Sequence, residues 1–449
     1  MKSTNLHTVL IEKLIPGGLG LGRLDNGMVV LVRYVLPGEK VVVREVERKK
    51  DYVSATLKEI LTESPDRTNP PCPLYGRCGG CDLQHATYNA QILLKKEILT
   101  ESLQRAAGDI FSEPAITLHP PLASSEEFGY RQRIRLQVDK EGEYGFFQTG
   151  SHVLETVSEC LLARGTLNTV LKQLHSNDSF AGLIKQCTAF ELLFNPDSNN
   201  TIMLLHSRRK PRPRDSSLAS DLVNEITDLS TILVQVEGYG LYDPLNQSFV
   251  SKPPHLCQTV SVENLKTDIQ LTWEAGGFCQ VNLDQNKKLL DLVMGMITAG
   301  PHNTVLDLYC GYGNFSLPIA QLAGKVVGID SQNAAIRSAK RNAMLNETDN
   351  CSFEKKPVIK GVKDLMDAGK TFETVILDPP RQGAADIVSM LPDLGARQII
   401  YISCNPATLA RDLAILCPEK YTLSYLIPVD MFPQTHHMES VALLKRTSQ

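Results

Sequence analysis

The sequence lacks any apolar stretch that approaches the roughly 18 uncharged residues needed to span a bilayer. Its first residues also lack the apolar core of a secretory signal peptide, because charged side chains occur at Lys2, Glu12 and Lys13. It has no low-complexity tract, and 42% of its residues are hydrophobic. These features exclude transmembrane and disordered proteins and predict a cytoplasmic chain that folds around sizeable cores.

A strong net charge is absent as well, since the 449 residues carry a formal charge of -4. This value excludes a protein that is basic throughout, so any surface for nucleic acid has to be a local patch. Cysteines, by contrast, are many for this length, at 11. Their odd number and the predicted reducing compartment argue against a disulfide framework and favour metal binding or chemistry.

The hydrophobic pattern predicts several domains and an α/β architecture. Short, glycine-broken apolar runs up to residue 60 are typical of a small β-barrel. Residues 89–105 are predicted to form a helix, and residues 110–275 are mostly strand-like. From about residue 278 onward apolar runs alternate with helical stretches, which is the pattern of a parallel α/β sheet.

Three cysteines lie close together in the stretch Cys72-Pro-Leu-Tyr-Gly-Arg-Cys78-Gly-Gly-Cys81. The two adjacent glycines allow the backbone to wrap so that neighbouring thiolates converge on one centre. Cys160 is the next cysteine along the chain and is the candidate fourth ligand. A clustered set with one distant cysteine slightly favours an iron–sulfur cluster over zinc, which more often uses two Cys-x-x-Cys pairs.

A glycine turn follows a predicted buried strand at residues 304–315. The next strand ends in Asp330, which suits a carboxylate that binds ribose hydroxyls. The turn carries Gly311 and Gly313 but lacks the third glycine that cradles a pyrophosphate. This favours a nucleoside cofactor without phosphates, such as S-adenosylmethionine, over NAD.

Two later strands end in residues with reactive side chains. Asp378 precedes Pro-Pro-Arg at the end of one strand, and Cys404 precedes Asn-Pro at the end of the next. Open α/β sheets place their sites at this edge, so Cys404 is a candidate nucleophile, with an inert buried thiol as the alternative. Near the C-terminus Glu439 is a candidate base, and His436 and His437 are its rivals.

Together these residues resemble the RNA (uracil-5-)-methyltransferase family, in particular its iron–sulfur branch that acts on 23S ribosomal RNA. The resemblance covers nearly the whole chain. It rests on motifs that stand in the family's order, namely Gly17-Gly-Leu-Gly-Leu-Gly-Arg23, Cys78-Gly-Gly-Cys81, Tyr130-Arg131, Gln280-Val-Asn282, Asp307-Leu-Tyr-Cys-Gly311, Asp378-Pro-Pro-Arg381, Ser403-Cys-Asn-Pro406 and His437-Met-Glu439-Ser440.

The resemblance implies three domains. They are an RNA-binding TRAM barrel over residues 1–60, a central mainly-β domain over residues 61–275, and a Rossmann-like class I methyltransferase domain over residues 276–449. It also implies a [4Fe-4S] cluster held by Cys72, Cys78, Cys81 and Cys160. By the same resemblance S-adenosylmethionine is bound by Gln280, Tyr309, Gly311, Gly313, Asn314, Asp330 and Asp378.

The implied reaction is methylation of C5 of a uridine in structured RNA. Cys404 adds to C6 of the uracil, C5 attacks the sulfonium methyl group, and Glu439 removes the C5 proton so that Cys404 is released. Phe278 and Asp378 are expected to touch the base, which has to leave its stack. The expected substrate is 23S ribosomal RNA bound by a monomer, and a T-loop uridine of transfer RNA is the alternative.

Some features stay open in this interpretation. Residues 353–357 hold no side chain that can be assigned to the adenine amino group of the cofactor. Arg131, Arg133 and Arg135 are predicted to share the exposed face of one strand, and residues 207–214 form a basic loop; both suit RNA phosphates. Two other functions compete: methylation of an exocyclic amine, which the arginine after the two prolines disfavours, and RNA binding by a non-catalytic iron–sulfur protein.

Overall fold

The structure is a computed structural model and describes residues 5–107, 117–263, 265–417 and 420–447. It contains a closed barrel, a central sheet, a two-stranded hairpin and a C-terminal sheet. None of the helices in these ranges is both long enough and apolar enough to cross a membrane.

The N-terminal strands close into the predicted barrel. They are β1 (Leu6–Ile15), β2 (Leu19–Arg23), β3 (Val29–Arg33), β4 (Lys40–Arg48) and β5 (Tyr52–Thr62), joined in the order β1-β2-β3-β5-β4. Alternate side chains such as Val30 and Val32 point inward and fill it. Buried Glu39 accepts hydrogen bonds from the Leu36 backbone amide and from the Arg67 guanidinium, both at 2.8 Å. This carboxylate therefore ties the barrel to the segment that follows it.

Eight strands form the central sheet. They are β7 (Arg133–Val138), β8 (Tyr144–Phe147), β9 (Leu154–Thr156), β10 (Cys187–Asn195), β11 (Asn200–Ser207), β12 (Leu229–Val236), β13 (Gly240–Asp243) and β14 (Ser248–Phe249), in the order β14-β13-β12-β11-β10-β7-β8-β9. One face is covered by the helices α2 (Gly165–Leu174), α3 (Asp178–Ile184) and α4 (Pro213–Glu225). The opposite face, with Leu204 and Leu233, packs against the hairpin β15 (His255–Val260) and β16 (Ile269–Glu274) and against the C-terminal unit.

The C-terminal unit is a mostly parallel sheet between two helical layers. Its strands are β6 (Thr117–Leu118), β17 (Gly300–Leu308), β18 (Ala323–Asp330), β19 (Cys351–Lys355), β20 (Thr374–Leu377), β21 (Gln398–Ser403), β22 (Tyr421–Val429) and β23 (Glu439–Arg446), in the order β19-β18-β17-β20-β21-β23-β22-β6. Its helices are α1 (Tyr88–Ala107), α5 (Leu283–Met296), α6 (Ser316–Ala320), α7 (Asn333–Leu345), α8 (Val358–Asp367), α9 (Ala385–Val388) and α10 (Pro406–Leu416). The predicted α/β architecture is confirmed.

Two elements that precede residue 275 belong to this C-terminal unit. The predicted helix over residues 89–105 is confirmed as α1, and its Leu99 and Leu103 lie in one hydrophobic core with Leu409 of α10. The short strand β6 pairs with β22 at the edge of the sheet. The helix that follows the cysteine segment is therefore part of the scaffold of the C-terminal sheet.

The register of the parallel strands decides where their loops emerge. Leu308 of β17 lies opposite Ile329 of β18 and Leu377 of β20. Leu377 in turn lies opposite Tyr401 of β21. The loops after these four strands therefore leave the sheet at one edge, where α/β proteins place their sites.

Candidate active site

The loop after β17 has a backbone shape that side chains rarely adopt. Tyr309, Gly311 and Gly313 have left-handed φ angles of 63°, 57° and 85°. At Gly313 a Cβ atom would lie 2.3 Å from a side-chain carbon of Leu317, so a larger residue does not fit. Glycine is therefore needed here for α6 to pack against the loop.

Asp330, at the end of β18, holds the same loop in place. One of its carboxylate oxygens accepts a hydrogen bond from the Gly311 amide at 3.1 Å, and the other accepts one from the Gln332 amide at 2.7 Å. Each carboxylate oxygen has further lone pairs, so Asp330 can still accept hydrogen bonds from ribose hydroxyls. The structure thus brings the predicted turn and the predicted acid together.

Asn314 connects the loop to α5. The side-chain amides of Asn314 and Asn286 exchange two hydrogen bonds, each at 2.9 Å, and the Tyr312 hydroxyl donates to Asn314 at 3.3 Å. Sequence reasoning missed Asn286, because no local pattern marks it within its helix. Beneath the loop, burial raises the pKa of Asp307 to about 7, and the Ser316 hydroxyl donates a hydrogen bond to it.

The segment after β16 closes the other side of this cleft. Phe278 lines a small cavity of about 20 Å³ together with Gly311 and Tyr312. Its side chain is 61% exposed, which leaves the ring free to stack on a flipped base. The Gln132 side chain donates a hydrogen bond to the backbone carbonyl of Gln280 and fixes the path of this segment.

The antiparallel pairing of β21 with β23 brings the predicted nucleophile and base together. Ser403, the last residue of β21, lies opposite Ser440 of β23. Cys404 follows Ser403 and Glu439 precedes Ser440, so both reach the same end of the two strands. The sequence places them 35 positions apart, and the sheet makes them neighbours.

Neighbouring charges influence the protonation of both groups. Burial, with the nearby carboxylates of Glu439 and Asp378, raises the pKa of the Cys404 thiol to about 11, and Arg381 opposes this rise. Burial and Asp378 also raise the pKa of Glu439, again against the effect of Arg381. Without substrate, the site therefore favours a protonated Cys404 thiol and disfavours the charged form of Glu439.

Asn405 joins the loops that carry Arg381 and Cys404. Its side-chain oxygen accepts a hydrogen bond from the Ala407 amide at 3.1 Å and caps α10. Its side-chain nitrogen donates to the Arg381 carbonyl at 3.0 Å. This link holds the backbone of Arg381, whose charge acts on the Cys404 thiol, against the loop after β21.

The two rival histidines are less suited to act as the base. The His436 ring is bonded to the Asp82 carboxylate, and its backbone amide donates to the same group at 2.6 Å. Burial, together with the charges of His436 and Arg381, lowers the pKa of His437 to about 4. An imidazole with so low a pKa is a weak proton acceptor at neutral pH, so Glu439 is the better candidate.

The four cysteines predicted to bind a metal centre line one cavity of about 370 Å³; they are Cys72, Cys78, Cys81 and Cys160. At Gly79 a Cβ atom would come within 3.0 Å of the Phe147 carbonyl oxygen, which explains why glycine stands there. Burial raises the pKa of Cys78 to about 11 and that of Cys81 to about 12. Within the described ranges, no group of three or more His, Cys, Asp or Glu side chains is arranged to hold a metal ion.

The prediction that three arginines lie on one face of a strand is wrong for Arg131. Arg133 and Arg135 do share the outer side of β7, and they lie 2.6 Å and 3.5 Å from the buried Glu191 carboxylate. Arg131 precedes the strand, which begins at Arg133, although all three arginines line the cysteine cavity. The charge of Arg131 acts on Cys81 and Cys160, not on a solvent-exposed surface.

The predicted basic loop over residues 207–214 is shorter in the structure, because Ser207 ends β11 and α4 begins at Pro213, but most of its basic side chains are exposed. Arg209 is bound to the Asp215 carboxylate at 2.8 Å. Lys210 Nζ lies 3.9 Å from the centre of the Tyr239 ring, and that ring is 61% exposed. The exposed basic side chains of the loop are Arg208, Lys210, Arg212 and Arg214. Positive charge beside an exposed aromatic ring is an arrangement that suits single-stranded nucleic acid.

Sequence comparison gives matches that cover nearly the whole chain. Residues 87–447 match the profile of the tRNA (Uracil-5-)-methyltransferase family, and residues 7–58 match that of the TRAM domain. The chain is 33% identical to the 23S rRNA (uracil(1939)-C(5))-methyltransferase RlmD of Vibrio parahaemolyticus, with 99% of this chain and 98% of that protein covered. It is also 33% identical to an uncharacterized RNA methyltransferase of Aquifex aeolicus, with 97% of each covered.

Structure comparison gives a match of similar extent. The tRNA (uracil-54, C5)-methyltransferase of Pyrococcus abyssi, solved in complex with S-adenosyl-L-homocysteine, superimposes with a TM-score of 0.72. The two chains are 25% identical, and the match covers 97% of this chain and 99% of that one.

Proposed function

Because the chain belongs to the tRNA (uracil-5-)-methyltransferase family, and is therefore an enzyme that methylates C5 of uridine in RNA from S-adenosylmethionine, we propose that Cys404 is its nucleophile and Glu439 its base. The observation that supports this assignment is their placement side by side at the ends of β21 and β23. The nearby Asp378 and Arg381 complete the charged surroundings of the reacting base.

The reaction needs a nucleophile because C5 of uracil attacks electrophiles poorly. The Cys404 thiolate forms a bond to C6, which places negative charge on C5 and O4 and lets C5 take the methyl group. When bound, S-adenosylmethionine supplies this electrophilic methyl group. Glu439 then takes the C5 proton, the sulfur–C6 bond breaks, and the 5,6 double bond and the thiolate are restored.

We assign cofactor binding to the loop and the strand ends beside it. Asp330 suits the ribose hydroxyls, since its carboxylate is fixed by two backbone amides and keeps free lone pairs. The other proposed contacts are Gln280, Tyr309, Gly311, Gly313, Asn314 and Asp378. The residue that reads the adenine amino group has no assignment, because the segment after β19 offers no suitable side chain.

The Glu439→Gln variant should form the methylated covalent adduct with ordinary uridine RNA but should release it slowly. Glutamine cannot take the C5 proton, so elimination of Cys404 is blocked after methyl transfer. A denaturing gel should show a protein–RNA complex that the wild-type enzyme does not accumulate. The Glu373→Gln variant serves as the control, since Glu373 is at the far end of β20 and pairs with Arg397 on the surface. Normal turnover by Glu439→Gln would show that another group is the base.

We propose that the substrate is a uridine of 23S ribosomal RNA. The full-length similarity to RlmD proteins supports this choice, whereas the similarity to the Pyrococcus abyssi enzyme supports a transfer RNA T-loop uridine as the alternative. The test is to offer the purified enzyme unmethylated 23S ribosomal RNA and unmethylated transfer RNA, and to map the new methyl group by mass spectrometry of nuclease fragments. Methylation of transfer RNA alone would reject the ribosomal substrate.

The proposed RNA surface consists of the barrel and the exposed part of the basic loop. Both carry groups that suit a polyanion: the barrel matches the TRAM profile, and the loop presents Lys210 beside Tyr239. We divide the chain into an RNA-binding barrel up to residue 60, a central domain, and a methyltransferase domain that consists of the residues beyond 275 together with α1 and β6. The enzyme is proposed to act as a cytoplasmic monomer.

We also propose that a [4Fe-4S] cluster is bound by Cys72, Cys78, Cys81 and Cys160. These four residues line one cavity of about 370 Å³. Four thiolates are the usual ligand set of such a cluster, and all four candidate cysteines line this one cavity. When bound, the cluster supplies iron–sulfur bonds that cross-link the cysteine segment to the central domain.

Anaerobically purified protein should contain about four iron atoms and four sulfides per chain, and the Cys81→Ser variant should lose most of both. The reason is that three thiolates hold a cubane cluster less tightly than four. Iron and acid-labile sulfide analysis measures this directly, with Cys257→Ser as the control because Cys257 lies in β15, away from the cavity. One zinc ion per chain with no sulfide would contradict the cluster.

A further inference from the structure

The segment that leads into Glu439 is neither helix nor strand. Residues Asp430 to Met438, here called the strap, connect the end of β22 to Glu439, the first residue of β23. A connection of this kind has to find partners for its backbone groups outside regular secondary structure. In this protein some of those partners lie more than 300 positions earlier in the chain, namely Gln91 and Asp82, and others are Asn282 and Gln285 at the start of α5.

The first half of the strap is held by a buried ion pair. Lys95 of α1 lies 2.6 Å from Asp430, with side chains only 1% and 2% exposed. Lys95 also donates to the Phe432 carbonyl at 3.1 Å. The Tyr88 hydroxyl donates to the second oxygen of Asp430 at 2.9 Å. Every one of these groups is fixed by at least one partner, so the strap has little freedom at this point.

The second half is held by Gln91 and by the cysteine segment. The side chain of Gln91 donates to the Gln434 side chain and accepts from the Gln434 amide, both at 2.9 Å. The amides of Asp82 and Leu83 both donate to the Gln434 carbonyl at 3.1 Å. Asp82 in turn accepts from the His436 amide at 2.6 Å. Asp82 directly follows Cys81, so these contacts connect the cysteine cavity to the strap.

We propose that Lys95, Gln91 and Asp82 are positioning residues for Glu439, which they serve by holding the strap in the one path that places its carboxyl group beside Cys404. This inference rests on the proposed roles of Cys404 and Glu439. Glu439 pairs with Val429 of β22, so the sheet holds one side of it, and the strap, which ends at Met438, holds the chain that leads into it. Proton removal from C5 depends on the position of Glu439, whereas attack of Cys404 on C6 depends on the loop after β21.

The test uses the Gln91→Met and Asp82→Asn variants with ordinary uridine RNA. Both keep the side-chain volume, and neither leaves a buried charge. We expect adduct formation at close to the wild-type rate and release of methylated RNA slowed at least about tenfold, because small misplacements of a reacting group have large effects on rate. Rapid quenching followed by a denaturing gel separates the two steps. A loss of folded protein would slow both steps by the same factor.

The matched control is Asp197→Asn. Asp197 also accepts hydrogen bonds from a distant residue: the Thr259 backbone amide donates at 3.0 Å and the Thr259 hydroxyl at 3.3 Å. Asp197 lies in the central domain, away from the strap. Unchanged release in Gln91→Met and Asp82→Asn, or equal slowing of both steps, overturns the positioning role. The roles of Cys404 and Glu439 are tested separately with the wild-type enzyme and 5-fluorouridine RNA. If no adduct forms there, the proposed mechanism fails. If an adduct forms but the variants release RNA normally, only the positioning role fails.

Discussion

The Cys404→Ala variant should lose methyl transfer by at least about 10⁴-fold, because removal of a covalent nucleophile takes away the step that activates the substrate. Without a thiolate at C6, C5 of the uracil does not gain the electron density it needs to attack the methyl group. Transfer of tritiated methyl from S-adenosylmethionine to RNA measures the loss. No covalent complex should form with RNA that contains 5-fluorouridine.

The control for this variant is Cys257→Ala, which removes a half-exposed thiol from β15 and should leave the rate unchanged. Calorimetry should show that Cys404→Ala still binds S-adenosylmethionine, since Cys404 lies after β21 and the cofactor loop follows β17. Methyl transfer that survives the removal of Cys404 would rule out the covalent mechanism and favour direct transfer.

The rate at which the Cys404 adduct forms should depend on pH. Burial and two neighbouring carboxylates raise the pKa of Cys404 to about 11, so the thiolate is the minor form at neutral pH. Adduct formation should therefore rise with pH, by about tenfold per unit between pH 7 and pH 9, as the thiolate fraction grows. Arg381 acts in the opposite direction, and its neutral replacement should make the adduct form more slowly.

The part of the site that could be predicted from sequence follows local rules. Asp330, Asp378 and Cys404 each stand at the end of a mostly apolar run, and parallel strands that are paired in register end at the same edge. The three clustered cysteines are close in sequence, and the glycines beside them allow a tight turn. These patterns depend only on neighbouring residues and on the pairing of parallel strands. For this reason the sequence could predict that these residues lie together.

The part that could not be predicted depends on packing between distant segments. The Lys95–Asp430 contact joins residues 335 positions apart and exists because α1 packs on the C-terminal sheet. The spacing of apolar residues predicts the helix, but it does not predict which distant residue will pair with a lysine on that helix. Arg131 was misplaced for a related reason, because alternation alone does not show that β7 begins at Arg133.

The Lys95→Met variant should reduce the free energy of opening of α1 by about 3–5 kcal/mol. Lys95 and Asp430 are almost fully buried, and burial lowers the pKa of the Lys95 ammonium although Asp430 acts to raise it. Removal of the lysine leaves a buried carboxylate that, among the residues the structure describes, keeps the Tyr88 hydroxyl as its one side-chain donor. Hydrogen exchange of the α1 amides measures the change.

The double variant Lys95→Met with Asp430→Leu separates stability from positioning. Replacing both charges with apolar groups of similar volume leaves no buried charge, so most of the lost opening free energy should return. The Phe432 carbonyl still lacks the Lys95 donor, and the strap still lacks its anchor to α1. Release of the covalent adduct should therefore stay slow in a protein of nearly wild-type stability. A single-variant loss below about 1 kcal/mol would instead mean that water reaches the pair, as at exposed ion pairs.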